Sequence, residues 1–319
     1  MENEHLPKTL LEAVRFFTDI DRCTEFMAMI RWPEGVICPH CNHNECKFMK
    51  VGKRRLWQCN SKACRKQFTI KTGSVMEDSP IGLDKWLPAI WMIVNAKNGV
   101  SSYEIHRALG ITQKSAWFLL HRIRLAMQAK SFEKLSGHVE VDETFIGGKA
   151  RFMHKHERER KIRGTGGYGK VAVMGLLERH GEVRVHVVGD RRRKSLDGSV
   201  REHVEAGSYV YSDALRSYDK LKDEYIHNVI DHAEKYVDGN VHTNSIENFW
   251  SLLKRALKGT YVSVEPFHLF RYLDEQAFRF NKRTGNDLYR FLEVAKSLTG
   301  RRLTFEELTG DAGKPAVSH

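Results

Sequence analysis

Long apolar runs are absent from this chain of 319 residues. Its most apolar stretch, residues 86–94, is interrupted by Pro88 and is shorter than the roughly 18 consecutive apolar residues that a membrane-spanning helix needs. The first residues, Met-Glu-Asn-Glu-His, lack the basic and apolar regions of a secretory signal peptide. We therefore expect a cytoplasmic protein.

Acidic residues are in deficit, because 40 Asp and Glu stand against 52 Lys and Arg, and the formal net charge is +12. The sequence pI is about 9.4. A charge of this size exceeds what solubility requires and favours a polyanionic partner, usually a nucleic-acid backbone. The length suffices for two or three domains with a sizeable core, so nothing in the size excludes an enzyme.

Cysteine is absent after residue 64, and all six cysteines precede that point. In a reducing compartment this clustering favours a metal site over disulfides. Cys38 and Cys41 form a Cys-x-x-Cys pair, and a second, wider pair follows after a basic, β-prone segment, at Cys59 and Cys64. Two such pairs are typical of a zinc ribbon, in which four thiolates hold one structural Zn²⁺.

Other side chains close to these pairs remain alternatives. Cys46, His40 and His43 could substitute as ligands, although none completes a second pair as well. Cys23 lies in a helical pattern and is interpreted as a packed thiol. The ribbon would present a set of basic side chains to nucleic acid, namely Lys50, Lys53, Arg54, Arg55, Lys62, Arg65 and Lys66.

A helix-turn-helix is predicted within residues 80–132. After a first helix over residues 83–96, Ser102 caps a short helix, Gly110 makes the turn, and Thr112 caps a second helix. The apolar face of the second helix is expected to contain Ala116, Leu119, Leu120 and Ile123. The residues that would open a recognition helix are Gln113, Lys114 and Ser115. A simple helical hairpin remains the alternative, because the pattern is loose.

Apolar and polar residues alternate after residue 138, which is typical of strands. Strands in an antiparallel meander are predicted at residues 138–148, 170–178 and 182–188. The elements that follow are a helix (195–206), a strand ending at Asp213 (209–213), a helix (214–221) and a strand (225–230). Asp142 lies inside the first strand, an unusual setting for a carboxylate that is neither used nor paired. Residues 149–170 are interpreted as a solvated or DNA-contacting loop.

The stretch 242–255 predicts an amphipathic helix. At about 100° per residue, one arc is apolar, and Glu247, Lys254 and Lys258 lie along its edge. A carboxylate and two cations on one packed helix suit a site where an acidic metal ligand meets a phosphate. The alternative is structural, with Asn244 as the helix cap and Glu247 closing a capping box. Two acids upstream, on the first and fourth strands of this region, favour the ligand interpretation, and the two roles are compatible.

This order of strands and helices, with its three acids, resembles that of RNase H-like nucleotidyl transferases. The chain is similar to bacterial insertion-sequence transposases that carry an N-terminal zinc ribbon and a DDE-type domain, a group related to the eukaryotic Merlin elements. The motifs that carry the resemblance are Arg-Trp-Pro-Glu-Gly-Val-Ile-Cys-Pro-His-Cys (31–41), Phe-Thr-Ile-Lys-Thr-Gly-Ser (68–74), Val-Asp-Glu-Thr-Phe-Ile-Gly-Gly-Lys (141–149), Tyr-Ser-Asp (211–213), His-Thr-Asn-Ser-Ile-Glu-Asn-Phe-Trp-Ser-Leu-Leu-Lys-Arg (242–255), Gly-Thr-Tyr (259–261) and Arg-Tyr-Leu-Asp-Glu-Gln-Ala-Phe-Arg-Phe-Asn (271–281). Together these motifs are specific and cover nearly the whole chain.

The resemblance implies Asp142, Asp213 and Glu247 as a catalytic metal-binding triad, with Lys254 contacting a phosphate near the cut. It implies two Mg²⁺ or Mn²⁺ ions per active site, because hard divalent cations prefer carboxylate oxygens. The reaction would be cleavage of the element ends, followed by attack of a DNA 3′-hydroxyl on target DNA. The implied partners are double-stranded DNA, as terminal inverted repeats and as target, and further copies of the chain in a dimer or larger assembly near the bacterial nucleoid.

Two other functions stay open. A transposase-derived regulator would bind DNA without cutting it, although the intact acids argue against this. A structure-specific endonuclease on the same fold would cut DNA without joining it. Among neighbouring side chains, Glu143 points to the opposite strand face, whereas His242 and Asp231 are compatible with an accessory role or with local hydrogen bonding.

The expected fold class is therefore α/β (α+β), with an RNase H-like catalytic domain. The expected divisions are an N-terminal helical segment (1–30), a zinc ribbon (31–79), a helix-turn-helix region (80–132), the catalytic domain (137–300) and a C-terminal tail (301–319). Residues 264–291 are expected to be helical and to offer DNA contacts through Arg271, Arg279, Lys282 and Arg283.

Overall fold

The computed structural model describes residues 6–128, 133–147, 155–156, 170–189, 193–213, 221, 223–230 and 242–310, with the backbone alone at residues 193–195, 213 and 230. The chain forms two compact units. The first unit comprises Met1–Met127 and Gly285–His319, and the second comprises Gln128–Thr284. The sequence places residues 285–300 in the catalytic domain, whereas in the structure they group with the first unit. Within the described residues, no helix is long and apolar enough to cross a membrane.

The helical part of the first unit is built around aromatic side chains. Its helices are α1 (Leu10–Phe16), α2 (Ile20–Arg31), α3 (Leu83–Asn95), α4 (Ser102–Leu109), α5 (Gln113–Met127), α9 (Asp287–Lys296) and α10 (Phe305–Thr309). Phe291 of α9 lies 5.4 Å from Phe17 and 5.3 Å from Trp91 between ring centroids. Such aromatic pairs add about 0.5–1.5 kcal/mol beyond the burial of their area. This packing explains why the stretch around Phe291 belongs to the first unit.

A three-stranded antiparallel sheet forms the ribbon in the first unit. Its strands are β1 (Cys46–Val51), β2 (Arg54–Cys59) and β3 (Gln67–Phe68), in the order β1-β2-β3. Trp57 and Phe68 are opposite each other in the β2–β3 register, and their rings stack 6.1 Å apart. This stacked pair forms part of the aromatic core of the ribbon.

The pair α4 and α5 agrees with the predicted helix-turn-helix, with one change at its start. Gly110 adopts the left-handed conformation at φ 60° and ends α4, and the Thr112 hydroxyl accepts a hydrogen bond from the Ser115 amide at 3.1 Å. Both were predicted. The prediction that Ser102 caps α4 is wrong, because Ser101 occupies that position and forms a capping box with Glu104. The expected apolar face of α5 is confirmed, since all its members are buried.

The second unit contains a five-stranded mixed sheet. Its strands are β4 (His138–Ile146), β5 (Val171–Glu178), β6 (Val183–Val188), β7 (Tyr209–Asp213) and β8 (Ile226–Ile230), in the order β6-β5-β4-β7-β8. The first three strands pair antiparallel, as the predicted meander requires, and β7 and β8 continue the sheet in parallel with β4. The α/β prediction, with an RNase H-like order of elements, is confirmed. The predicted helix 214–221 and loop 149–170 lie largely outside the described residues.

Helices cover both faces of this sheet. Helix α6 (Arg193–His203) packs on one face through Leu196 and Val200, in a core cluster that also contains Val141 of β4 and Met174 of β5. Helices α7 (Asn244–Ala256) and α8 (Leu269–Asn281) cover the other face. A π-helical turn (Leu257–Tyr261) and a short 3-10 helix (Pro266–His268) join α7 to α8.

One predicted DNA contact on α8 is wrong. Arg279 is buried, with 8% exposure, and donates hydrogen bonds to Glu275 and to Gln276 of the same helix. A guanidinium group buried and hydrogen-bonded in this way is not available to a phosphate.

Candidate functional site

Four cysteines of the ribbon converge as the sequence predicts. The sulfur atoms of Cys38, Cys41, Cys59 and Cys64 all lie within 4.8 Å of one another, with Cys38 and Cys64 at 3.9 Å and Cys41 and Cys59 at 3.6 Å. Four thiolates at about 2.3 Å from a tetrahedral Zn²⁺ would be about 3.8 Å apart. The donor set and its spacing therefore fit a structural zinc ion. Burial raises the pKa of the Cys59 thiol, so proton release and zinc binding would be coupled.

The other two cysteines lie outside this cluster. Cys46 starts β1, and its sulfur contacts the His43 carbonyl oxygen at 3.7 Å. Cys23 is fully buried in α2 and donates to the Phe17 carbonyl at 3.2 Å. Burial, with the negative charge of Asp84 next in effect, raises the pKa of Cys23 to about 12, so this group remains a thiol. Its interpretation as a packed thiol agrees with this environment.

Asp142 lies on the central part of β4 and faces helix α7. It is opposite Gly175 on β5. Val173 and Leu177, two residues away from Gly175 on the same face of that strand, belong to the core under α7. One carboxylate oxygen of Asp142 accepts a hydrogen bond from the indole Nε1 of Trp250 at 2.9 Å, and the other accepts from the Glu143 amide at 2.8 Å. The carboxylate is thus oriented by α7 and is only partly buried.

Close packing at Gly175 brings the helix to the strand. A Cβ atom at this position would lie 2.6 Å from Cζ2 of Trp250 and 2.8 Å from Cδ1 of Ile246. No larger residue fits there without moving the helix. The absence of a side chain at Gly175 therefore allows Trp250 to reach Asp142.

The start of α7 is held differently from the sequence-based prediction. Asn244 is the first helical residue, Thr243 is the N-cap residue, and neither side chain provides a capping hydrogen bond to the helix. Instead, the Glu140 carboxylate accepts from the Ser245 amide at 2.9 Å and from the Ile246 amide at 3.0 Å. The predicted Asn244 cap and its capping box with Glu247 are therefore wrong. The cap comes from a strand more than one hundred residues upstream, which no local pattern shows.

Glu140 is the residue that sequence reasoning missed. It is 0% exposed and forms an ion pair with Arg179, whose Nε donates at 2.8 Å, while His242 Nδ1 lies 3.3 Å from the same oxygen. The alternation of β4 contained a signal for this residue. Glu140 stands between two buried valines in the sequence and shares a strand face with Asp142. A charge at a core position of a central strand is the feature that could have identified it.

Glu247 and Lys254 lie on the margin of α7, as the helical wheel predicts. Glu247 is exposed in the first turn, and one of its oxygens accepts from the Thr243 hydroxyl at 3.4 Å. Ile246 and Trp250, on either side of it, are the residues that pack at Gly175 beside Asp142. Lys254 is half-buried two turns after Glu247. The structure therefore brings the strand of Asp142 and the helix of Glu247 together.

Asp213 ends β7, and its side chain is outside the described part of the chain, as is all of Asp231. The backbone register is nevertheless informative. In the parallel β4–β7 pair, His138 is opposite Tyr209 and Glu140 is opposite Tyr211. The pairing ends there, two residues before Asp142 on β4 and two residues before Asp213 on β7.

The residues predicted to read DNA are partly engaged within the first unit. Gln113 donates to the Ser102 hydroxyl at 2.8 Å, and the Lys114 ammonium lies 4.7 Å from the centre of the Phe305 ring. On the ribbon, Lys50 and Arg55 both pair with Asp21 of α2. Any contact of these four side chains with a phosphate or base would compete with these interactions.

Comparisons with known proteins agree with this architecture. Residues 134–281 match the family model of the ISXO2-like transposase domain, and residues 19–67 match the transposase zinc-ribbon domain. The chain is 29% identical over 269 residues to an uncharacterized protein in transposable element ISH50 of Halobacterium salinarum. The aligned region covers 76% of this chain and 85% of that protein. The chain is also 37% identical over 83 residues to an uncharacterized transposase-like protein of Haemophilus influenzae. That aligned region covers 26% of this chain and 67% of that protein.

Proposed function

The chain belongs to the insertion-sequence transposases that combine a zinc ribbon with an ISXO2-like DDE transposase domain, and from this premise we propose that it cuts the ends of its element and joins them to target DNA. The observation that carries the proposal is the attachment of α7 to β4. The indole of Trp250 holds the Asp142 carboxylate, and the turn between Ile246 and Trp250 carries Glu247. Two of the three expected acids thus lie on elements in direct contact.

In this proposal Asp142, Asp213 and Glu247 hold two Mg²⁺ or Mn²⁺ ions. Their carboxylate oxygens are the ligands that hard divalent cations prefer, which is the fit that the donor set offers. When bound, such a pair of ions would activate the attacking oxygen and stabilise the leaving one. The protein holds Asp142 through the indole of Trp250 and carries Glu247 on a helix whose apolar face is buried.

Lys254 is proposed to contact a phosphate close to the scissile bond. It follows Glu247 by seven residues, or about 20° less than two full turns, so both side chains lie along one edge of α7. The zinc ribbon and the pair α4 and α5 would bind the terminal repeats, which agrees with a net charge of +12. Because two ends must be joined to one target, we propose that a dimer or larger assembly performs the reaction.

The test uses a duplex carrying the terminal repeat that flanks the coding sequence, a target plasmid and Mg²⁺. The wild-type protein is expected to nick the repeat and to produce joined products, whereas Asp142→Asn is expected to lose both activities by a factor on the order of 10³ or more. The matched control is Glu143→Gln, because the neighbouring carboxylate pairs across from Met174 and belongs to the opposite face.

Each outcome separates the alternatives. Joined products from the wild type exclude a pure nuclease, and nicks without joining favour an endonuclease. DNA binding without cutting would indicate a regulator. Equal activity of the wild type and Asp142→Asn would contradict the catalytic assignment.

A further inference from the structure

We propose that Glu140 and Arg179 are positioning residues that set the place of Glu247 relative to Asp142 by fixing the start of α7 on the sheet. This inference rests on the proposed function, because it concerns the same metal site. It assigns a role to two charged side chains that the metal-binding triad leaves unexplained.

The Glu140 carboxylate uses both of its oxygens inside the protein. Oε2 accepts from the amides of Ser245 and Ile246, and Oε1 accepts from Arg179. Amide groups in the first turn of a helix have no partner within the helix, and the helix dipole favours a negative charge there. Because Glu140 is 0% exposed whereas Asp142 is only partly buried, Glu140 is suited to hold the helix and not to bind a metal ion itself.

Arg179 ties the cap to three other parts of the second unit. Its backbone amide donates to the His138 carbonyl at 2.9 Å, directly after the end of β5. One terminal nitrogen donates to the His242 carbonyl at 2.6 Å, and the guanidinium carbon lies 4.1 Å from the centre of the Tyr211 ring on β7. A planar guanidinium can make the fork of hydrogen bonds and the stacking contact at once, which a lysine cannot.

Helix α7 is therefore attached to β4 at two points. The first is Glu140 at the amides of Ser245 and Ile246, and the second is Asp142 at the indole of Trp250. Glu140 and Asp142 lie two residues apart on one face of the strand, and Glu247 lies between the two attachment points on the helix. Two attachments fix both the position of the helix along the strand and its rotation. The Trp250 attachment alone would allow the helix to rotate about that contact.

The chain offers a matched control in a second buried pair. Glu275 of α8 is also 0% exposed and pairs with a buried arginine, Arg279, and its carboxylate accepts from the hydroxyl of Tyr261, which lies beyond the C-terminal end of α7. Loss of either carboxylate charge leaves a guanidinium group without its anion, with side-chain exposures of 13% for Arg179 and 8% for Arg279. Glu140→Gln and Glu275→Gln should thus have similar effects on folding and different effects on the metal site.

The experiment measures the rate of cutting of terminal-repeat DNA against Mn²⁺ concentration for the wild type, Glu140→Gln, Glu275→Gln and Arg179→Lys. We expect Glu140→Gln to raise the Mn²⁺ midpoint by about 10- to 100-fold, the range for loss of a residue that orients metal ligands. Glu275→Gln is expected to leave the midpoint within about twofold. Arg179→Lys keeps the positive charge and loses the forked hydrogen bonds of the guanidinium group. Its Mn²⁺ midpoint should therefore lie between those of Glu140→Gln and Glu275→Gln.

The readout distinguishes positioning from simple loss of folded protein. Irreversible loss of folded protein lowers the rate by the same factor at every Mn²⁺ concentration without shifting the midpoint. Because reversible unfolding also raises the midpoint, the folded fraction of each variant is measured by circular dichroism, and a displaced helix shifts the midpoint at an unchanged folded fraction. Amide hydrogen exchange at Ser245 and Ile246 should also become faster in Glu140→Gln alone. Equal midpoints for Glu140→Gln and Glu275→Gln, in a protein whose wild type cuts DNA, would overturn this inference and leave the proposed function intact. A wild type that neither cuts DNA nor binds Mn²⁺ would overturn both.

Discussion

Replacement of Gly175 by alanine probes the contact on which the site depends. The added Cβ would lie 2.6 Å from Cζ2 of Trp250 and 2.8 Å from Cδ1 of Ile246, closer than carbon atoms approach in folded proteins. Trp250 is 4% exposed and Ile246 is 0% exposed, so neither side chain can simply turn into solvent. The backbone of α7 or β5 must therefore move by several tenths of an ångström.

The expected cost follows from overpacking. An extra methyl group in a well-packed core costs about 1–3 kcal/mol, and each kcal/mol lowers the Tm of a domain of this size by about 2–4 °C. Displacement of Trp250 also lengthens its 2.9 Å hydrogen bond to Asp142. A misplacement of about 1 Å at a reacting group can cost about a hundredfold in rate, so a smaller shift should lower the cutting rate by roughly tenfold.

The assay combines thermal unfolding of the zinc-loaded protein with the Mg²⁺-dependent cutting rate at saturating terminal-repeat DNA. Gly198→Ala is the matched control, because a Cβ at this exposed position of α6 meets no atom within 4 Å. Alanine is favoured over glycine in a helix by about 0.5–1 kcal/mol, so this variant should be slightly more stable and fully active. An unchanged Tm and cutting rate in Gly175→Ala, or equal losses in both variants, would show that the close packing of α7 at Gly175 does not position Asp142.

Further predictions concern the first unit. Cys59→Ser should bind far less than one zinc per chain by atomic absorption, whereas Cys46→Ser should still bind one; equal zinc contents would contradict the four-cysteine assignment. A strong chelator should abolish binding of terminal-repeat DNA through loss of the ribbon, with binding restored by added Zn²⁺, and full binding without zinc would contradict this. Hydrogen bonds from Arg55 and Lys50 lower the pKa of Asp21 from 3.8 to about 2. Because the pKa is lower in the folded state, this carboxylate stabilises the fold fully above about pH 4, and the contribution is lost as the pH falls towards 2. The stability difference between the wild type and Asp21→Asn should therefore shrink over that interval in urea unfolding, and a constant difference would show that the pair does not titrate.

Local patterns predicted much of the fold. The alternation in residues 138–146 located β4, and a Cys-x-x-Cys pair followed by Cys59 and Cys64 located the ribbon, because strands and metal knuckles are determined by residues close in sequence. The apolar arc of α7 was also visible, since helical periodicity spans only a few turns.

The features that the sequence did not reveal depend on contacts between distant residues. The cap of α7 comes from Glu140, about one hundred residues away, so a helical pattern around Asn244 pointed to a local cap. Arg279 has the spacing of an exposed cation but pairs with Glu275 inside the core. Phe291 comes only ten residues after the end of α8 in the sequence, yet its ring packs on Phe17 in the first unit. In each case tertiary packing overrides the local pattern.

The proposed metal site is tested most directly by the anomalous scattering of Mn²⁺ in crystals of the wild-type protein bound to terminal-repeat DNA. We expect two peaks about 4 Å apart, each about 2.1 Å from carboxylate oxygens supplied by Asp142, Asp213 and Glu247. Peaks coordinated by other residues, or the absence of any peak at these three carboxylates in a complex that contains DNA, would contradict it.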